Sequence, residues 1–234
     1  MQQYFAINKE LELEKGDYHH IKNVMRMRKG DKIKVVYDDI IYDCVLTSIS
    51  DKSSFKVVSS SKKNNDNIKI DLAFSLIKEQ KLNYLLQKST ELGINKLIPL
   101  NTKRTIIKID KKSEPSKNIR WKKICKEASE QSFRTDLPVL EEILSLKDLA
   151  FKEYDLKLLC SLNKNTKNIK KVLQKNNKCV KILIVVGPEG GFDPKEEEYL
   201  VNNGFISVSL GNTVLRAETA PVVAISMINY EFMR

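Results

Sequence analysis

The chain is poor in the residues that build metal centres and covalent frameworks. Its 234 residues include only two histidines, His19 and His20, and four cysteines, Cys44, Cys125, Cys160 and Cys179. Adjacent histidines point different ways and no third completes a ligand set, which argues against a zinc or iron site. The cysteines are widely spaced and form no CxxC pair, so neither a zinc site nor a disulfide framework is expected. Cys160 and Cys179 lie in apolar surroundings and read as buried thiols of a reducing compartment. Long apolar runs are missing too. The start, "MQQYFAINKELELEKGD", lacks the basic and apolar segments of a secretion signal, and no stretch approaches the length of a membrane span. A cytoplasmic protein is expected. Two phosphate-binding templates are also absent, a GxGxxG opening a helix and a GxxxxGK[ST] loop, so any nucleoside ligand needs a site of another kind.

What the chain does have is positive charge, 41 Lys and Arg against 30 Asp and Glu. Residues 71–140 carry 15 basic and 8 acidic side chains, whereas 141–234 carry 13 and 12. Such a field suits a polyanion, and nucleic acid is the commonest one.

Two regions differ in pattern. In the first, Asp17 is placed to cap a helix over "YHHIKNVMRMR" in which Ile21, Val24 and Met25 share a face. A hairpin about Asp38-Asp39 and a strand at "SFKVVSS" follow, suggesting a small β-barrel. The polar stretch "SSSKKNNDN" at 59–67 marks a boundary, dividing the chain into 1–67 and 68–234. Beyond it, apolar strands ("IDLAFSLI", "NKLIPL", "LKLLCSL", "KILIVVG", "GFISVSLG") alternate with helical stretches, the pattern of a largely parallel α/β sheet covered on both faces.

Two glycine turns end apolar strands here. "KILIVV" reads as a central strand leading into "GPEGGFDPKEEEYL", with Asp193 as N-cap and Pro194 at the first helical position. Gly187, Gly190 and Gly191 thus occupy a strand exit, where open parallel sheets bind ligands. Gly211-Asn212 ends the next strand, followed by Arg216, Glu218 and Thr219 and then a helix apolar on nearly every face, which predicts an interior position. A surface ion pair with Thr219 as N-cap is one reading of the triplet. A reacting site is the other, because charge beside buried segments is costly unless it is used or paired. The two turns are expected at the exits of adjacent strands, closing on one ligand.

Taken in order, "HHIKNVMRMRKGD", "QKSTELGI", "EASEQSFR" followed by Pro138, "VGPEGGF" and "SLGNTVLRAETA" resemble the bacterial 16S ribosomal RNA uridine-N3 methyltransferases of the SPOUT class. The resemblance implies a PUA-like β-barrel for RNA, then a SPOUT-type parallel sheet with a C-terminal trefoil knot that binds S-adenosylmethionine, in a homodimer acting on 16S rRNA of the small ribosomal subunit. It implies cofactor contacts from Leu162, from Gly187, Pro188, Glu189, Gly190 and Gly191, from Leu210, Gly211 and Asn212, and from Val214, Leu215 and Arg216. Arg216 and Glu218 are the expected catalytic pair, with Glu218 either orienting Arg216 or accepting a proton. RNA contacts are expected from Arg26, Arg28, Lys29, Lys81, Lys88, Arg104 and Arg134. A SPOUT enzyme acting on transfer RNA or a ribose oxygen, and a non-catalytic ribosome-assembly factor, stay open as alternatives.

Overall fold

A computed structural model describes residues 1–62, 68–163 and 165–232. The chain forms two compact units: Met1–Asn65 with Lys126–Leu137, and Asp66–Cys125 with Pro138–Arg234. The expected boundary at 67/68 abuts residues 63–67, which lie outside the described residues.

The first unit is built on a four-stranded sheet ordered β1 (Gln2–Phe5), β2 (Lys32–Tyr37), β3 (Ile40–Ser48) and β4 (Ser54–Lys62). β2, β3 and β4 form the antiparallel meander, and Asp38 and Asp39 both take positive φ, as a two-residue hairpin turn requires. The reading of the sequence passed over β1, four residues that pair in parallel with β2 and seal Tyr4 into the core.

The helix after β1 corrects an expectation. α1 spans Lys15–His19 with Glu14, not Asp17, as N-cap, and a π-helical turn follows over His20–Val24. Asp17 sits at the third helical position, where it accepts from the Glu14 amide at 3.2 Å and from Lys126 Nζ at 2.8 Å. The wider π turn rotates later side chains away from the α-helical face. Ile21 is therefore buried, while Val24 and Met25 are exposed.

The second unit is an all-parallel sheet. Its strands are β5 (Lys69–Ser75), β6 (Lys96–Asn101), β7 (Val139–Leu140), β8 (Leu144–Ser145), β9 (Leu156–Cys160), β10 (Lys167–Asn168), β11 (Lys181–Val186) and β12 (Ile206–Ser209). The order is β10-β12-β9-β11-β5-β6-β7, with β8 also pairing β6. The helices are α2 (Glu79–Glu91), α3 (Glu114–Gln131), α4 (Ile169–Lys175), α5 (Pro194–Asn202) and α6 (Thr219–Phe232), and the division between units falls within α3.

β11 lies between β9 and β5, and its alternate residues feed two cores. Ile182, Ile184 and Val186 join Leu82, Leu86, Trp121, Val172 and Ile225 on one side, and Leu183 and Val185 join Leu200 and Phe205 on the other. Each fully buried side chain of this size contributes about 1.5–3 kcal/mol, so the central strand anchors the unit. At the amino ends of the strands, Asp71 is fully buried and accepts from Tyr154 Oη at 2.7 Å and from Asn95 Nδ2 at 2.6 Å.

α6 also departs from expectation. Pro221, Ala224, Ile225 and Ile228 are buried, but Val222, Val223 and Met227 are only partly covered and Tyr230 is 80% exposed. One face is interior and a second apolar face is open.

Candidate active site

The carboxyl ends of β9, β11 and β12 open into one cavity of about 1530 Å³. The two glycine turns do not leave adjacent strands, because β9 lies between β11 and β12. Its exit loop, with Leu162, therefore stands between them. The three strand exits bring together every residue expected to touch a cofactor: Leu162, Gly187 through Gly191, Leu210, Gly211, Asn212, Val214, Leu215 and Arg216 all line the cavity.

Local chemistry holds each loop. Gly191 takes φ +66° and closes a turn through its amide on the Pro188 carbonyl at 2.9 Å. A side chain at Gly187 would meet the Phe192 ring at 3.1 Å and the Gly191 backbone at 3.2 Å. Asp193 caps α5, accepting from the Lys195 amide at 3.1 Å, and Glu196 completes the capping box. In the β9 loop, Ser161 Oγ donates to Glu197 Oε1 at 3.1 Å and accepts from the Asn163 amide, so α5 fixes this loop as well.

Basic residues from the middle of the chain clamp the glycine loop. Lys81, in the first turn of α2, donates to Glu189 Oε1 at 2.9 Å and lies 3.7 Å from Glu218 Oε2. Arg104 Nη1 donates to the Gly190 carbonyl at 2.8 Å, and Lys103 Nζ donates to Asp193 Oδ2 at 2.9 Å. Burial pulls the Glu189 carboxyl up, but the bond and charge of Lys81 outweigh it and hold the group below the usual range. The bond from Lys103, set against burial, likewise lowers Asp193. Cys160 also lines the cavity, and burial pushes its thiol up to about 12, so it presents an unreactive S–H.

The sequence-expected polar residues separate into groups. Lys81 and Arg104 belong to the cavity wall. Lys88 bonds Glu91 at 2.8 Å on α2. Arg134 is 9% exposed and donates through Nη2 to Asp136 at 2.7 Å, so it packs its unit instead of presenting a guanidinium to phosphate. Arg26, Arg28 and Lys29 are exposed in the first unit. Arg216 and Glu218 form no ion pair with each other among the described residues, which removes the support for Glu218 orienting Arg216. Arg216 is exposed on the cavity wall, whereas the Glu218 side chain is only 12% exposed. Glu218 Oε2 is buried without a hydrogen-bond partner. Sequence reasoning missed Lys81, Lys103 and Arg104 as supports of the glycine loop, although Lys81 and Arg104 follow the exits of β5 and β6, where the rule for parallel sheets points.

Residues 64–229 match the model of the RNA methyltransferase domain, and residues 13–59 match the RNA methyltransferase PUA domain. A Bacillus subtilis relative, Ribosomal RNA small subunit methyltransferase E, is 35% identical over 99% of this chain and 97% of its own. The chain belongs to the ribosomal RNA small subunit methyltransferase E family. Another member, from Buchnera aphidicola subsp. Schizaphis graminum, is 32% identical over 98% of this chain and 94% of its own. Among solved structures, the Neisseria gonorrhoeae family member bound to S-adenosyl methionine superposes with a TM-score of 0.88 at 26% identity, covering 98% of this chain and 97% of that one. A Legionella pneumophila protein solved in complex with the bound cofactor SAM gives 0.89 at 27% identity over the same shares. The parallel α/β sheet and the PUA-like first domain are those of this family.

Proposed function

We propose that this protein transfers the methyl group of S-adenosylmethionine to N3 of a uridine in 16S rRNA of the small ribosomal subunit. The observation that carries this reading is the meeting of three parallel-strand exits at one cavity, with Arg216 on its wall and the Glu218 carboxylate close by. The residues present fit the cofactor. Gly190 and Gly191 line the wall without side chains, so a ligand meets bare backbone there, Leu162, Leu210, Val214 and Leu215 offer apolar contact, and the volume exceeds the ~300–1,000 Å³ of ordinary ligand sites. When bound, S-adenosylmethionine supplies an electrophilic methyl carbon whose bond to sulfur breaks with its electron pair going to sulfur.

The chain's own residues have a different task. Uracil N3 carries a proton and no free lone pair at neutral pH, so the site must remove that proton and stabilise the charge left on the ring. Glu218 Oε2, buried and lacking a hydrogen bond, is the acceptor we assign. Arg216, exposed to the cavity, places a guanidinium beside the resulting anion. Lys81 sets the position of the Glu218 carboxylate while holding Glu189 in the glycine loop. Single-turnover methylation tests these roles. Glu218→Gln is expected to slow transfer about 10²–10⁴-fold and Arg216→Ala about 10²–10³-fold, in proteins that still bind cofactor. Unchanged rates in both would remove the assignment.

Residues 1–67 are read as the RNA-binding domain, with Arg26, Arg28 and Lys29 among its exposed cations, and 68–234 as the catalytic domain. A knotted C-terminus belongs to the same reading, supported by β12 lying beyond β9 and by α6 returning to pack on α2, α4 and β11. The open apolar face of α6, with Tyr230, supports a homodimer. No helix among the described residues is long and apolar enough to cross a membrane, which accords with a cytoplasmic enzyme.

A further inference from the structure

One segment of the second unit is strongly polarised in charge. Between Asp155 and Glu189 there are eight lysines and no aspartate or glutamate, where the chain average of 30 acids in 234 residues would place about four. Elsewhere in the same unit lysines have carboxylate partners: Lys81 with Glu189, Lys96 with Glu141, Lys103 with Asp193. Within the segment, Lys157 donates to the Asn203 carbonyl and Lys181 pairs with Glu153. Lys167, Lys170, Lys171, Lys175 and Lys178 are exposed and enter no ion pair among the described residues.

Their placement is ordered. Lys167 lies on β10, and Lys171 and Lys175, four residues apart on α4, are neighbours on one helical face. With Val172 and Ile206 they bound a groove of about 340 Å³. Lys167 and Ile206 also line the large cavity, so the groove adjoins the mouth of the site. Asn168 and Asn176 add amides along the same groove.

We propose that this α4 lysine face is an RNA-binding surface that tracks the phosphates of the strand flanking the target base. The inference rests on the methyltransferase reading for the identity of the RNA, and on charge complementarity for the occupant. Five unpaired ammonium groups repel one another at low salt, and a polyanion laid across them releases counterions on binding. Lysine suits this duty, since phosphate contacts set register without reading sequence. In the sum over residues 141–234 these eight lysines are masked, because the remaining residues there hold 12 acids against five bases.

The test is a triple variant, Lys170→Gln/Lys171→Gln/Lys175→Gln, which spares every cavity-lining residue and keeps good helix formers. Binding to an in-vitro transcript of 16S rRNA is measured from 0.05 to 0.5 M salt, with S-adenosylmethionine affinity measured in parallel. The slope of log K against log salt should fall in magnitude by about 2, from roughly 0.7 per lost contact. Taking the two proteins as equal at 1 M salt, that is about 50-fold weaker binding at 0.15 M. KM for the transcript should rise, with kcat at saturating RNA and cofactor affinity unchanged. Lys171→Arg/Lys175→Arg should bind as the parent does. An unaltered slope and KM in the triple variant would overturn the proposal, as would an equal loss of affinity for polyglutamate, which would mark a surface indifferent to its polyanion. If the parent protein binds the transcript but transfers no methyl, the function proposed above fails while the salt slopes still decide this surface.

Discussion

The glycine at 187 permits a sharp prediction, because its backbone is not what demands glycine. Its φ lies outside the positive range, so alanine is conformationally allowed there, and the obstacle is steric. An added Cβ would stand 3.1 and 3.2 Å from two carbons of the Phe192 ring and 3.2 Å from the Gly191 carbonyl carbon. Phe192 is 4% exposed and packed among Leu183, Val185 and Leu200, so it yields only by disturbing that core, and the third atom is backbone of the loop itself. Overpacking of this kind costs about 1–3 kcal/mol. At roughly 2–4 °C per kcal/mol for a chain of this size, Gly187→Ala should lower Tm by about 2–12 °C. The displaced loop should weaken S-adenosylmethionine binding, measured by calorimetry, about tenfold or more. Gly191→Ala is the control: φ is +66° there but the space is open. It should cost about 1–2 kcal/mol in backbone strain, with no displacement of Phe192. A Gly187→Ala protein with parental Tm and parental cofactor affinity would refute the claim that this loop is packed against Phe192.

Three further outcomes follow from individual side chains. Tyr154→Phe removes the hydroxyl that donates to buried Asp71 and should destabilise the protein by about 1–3 kcal/mol in denaturant titration; a smaller loss would mean that Asn95 alone satisfies the carboxylate. Glu130, buried near Lys126 and Asp17, has its carboxyl raised to about 7, chiefly by burial. Its native state holds a proton that the unfolded chain releases, so this group's contribution is complete below about pH 4.5 and lost as pH rises through about 7. Glu130→Gln should therefore be near-neutral at pH 4.5 and stabilising by about 1–3 kcal/mol at pH 8, and destabilisation at pH 8 would reverse the sign of the argument. Lys81→Met should slow methyl transfer roughly 10–100-fold with Lys81→Arg retaining most of the rate; equal rates in both would make Lys81 a surface cation only.

Much of the second unit was readable because its main strands carry near-continuous apolar runs, broken only by single polar residues such as Asp71 and Lys157. β5, β9 and β11 are buried on both faces, and the Asp193-Pro194 cap announces α5. The unread elements are the short ones: β7, β8 and β10 have two residues each, too few for any periodicity, and β1 is defined by its parallel partner β2, far along the chain. The helix after β1 misled because the π turn breaks the 3.6-residue period on which facing positions were counted. At the site, strand exits located the loops, since backbone turns leave glycine in the sequence. The order β12-β9-β11 did not show, because nothing in a strand's own residues names its neighbour. Nor did the partner of Glu218. Local spacing favoured Arg216, two residues away, whereas the fold brings Lys81 from α2.

The most direct measurement is methyl transfer from labelled S-adenosylmethionine to small ribosomal subunits that lack the modification, followed by digestion of the 16S rRNA to nucleosides and mass spectrometry. The account predicts label in 3-methyluridine, formed at least about 10²-fold more slowly by the Glu218→Gln and Arg216→Ala proteins. Label on a ribose oxygen or another base, or none in the RNA, would contradict it.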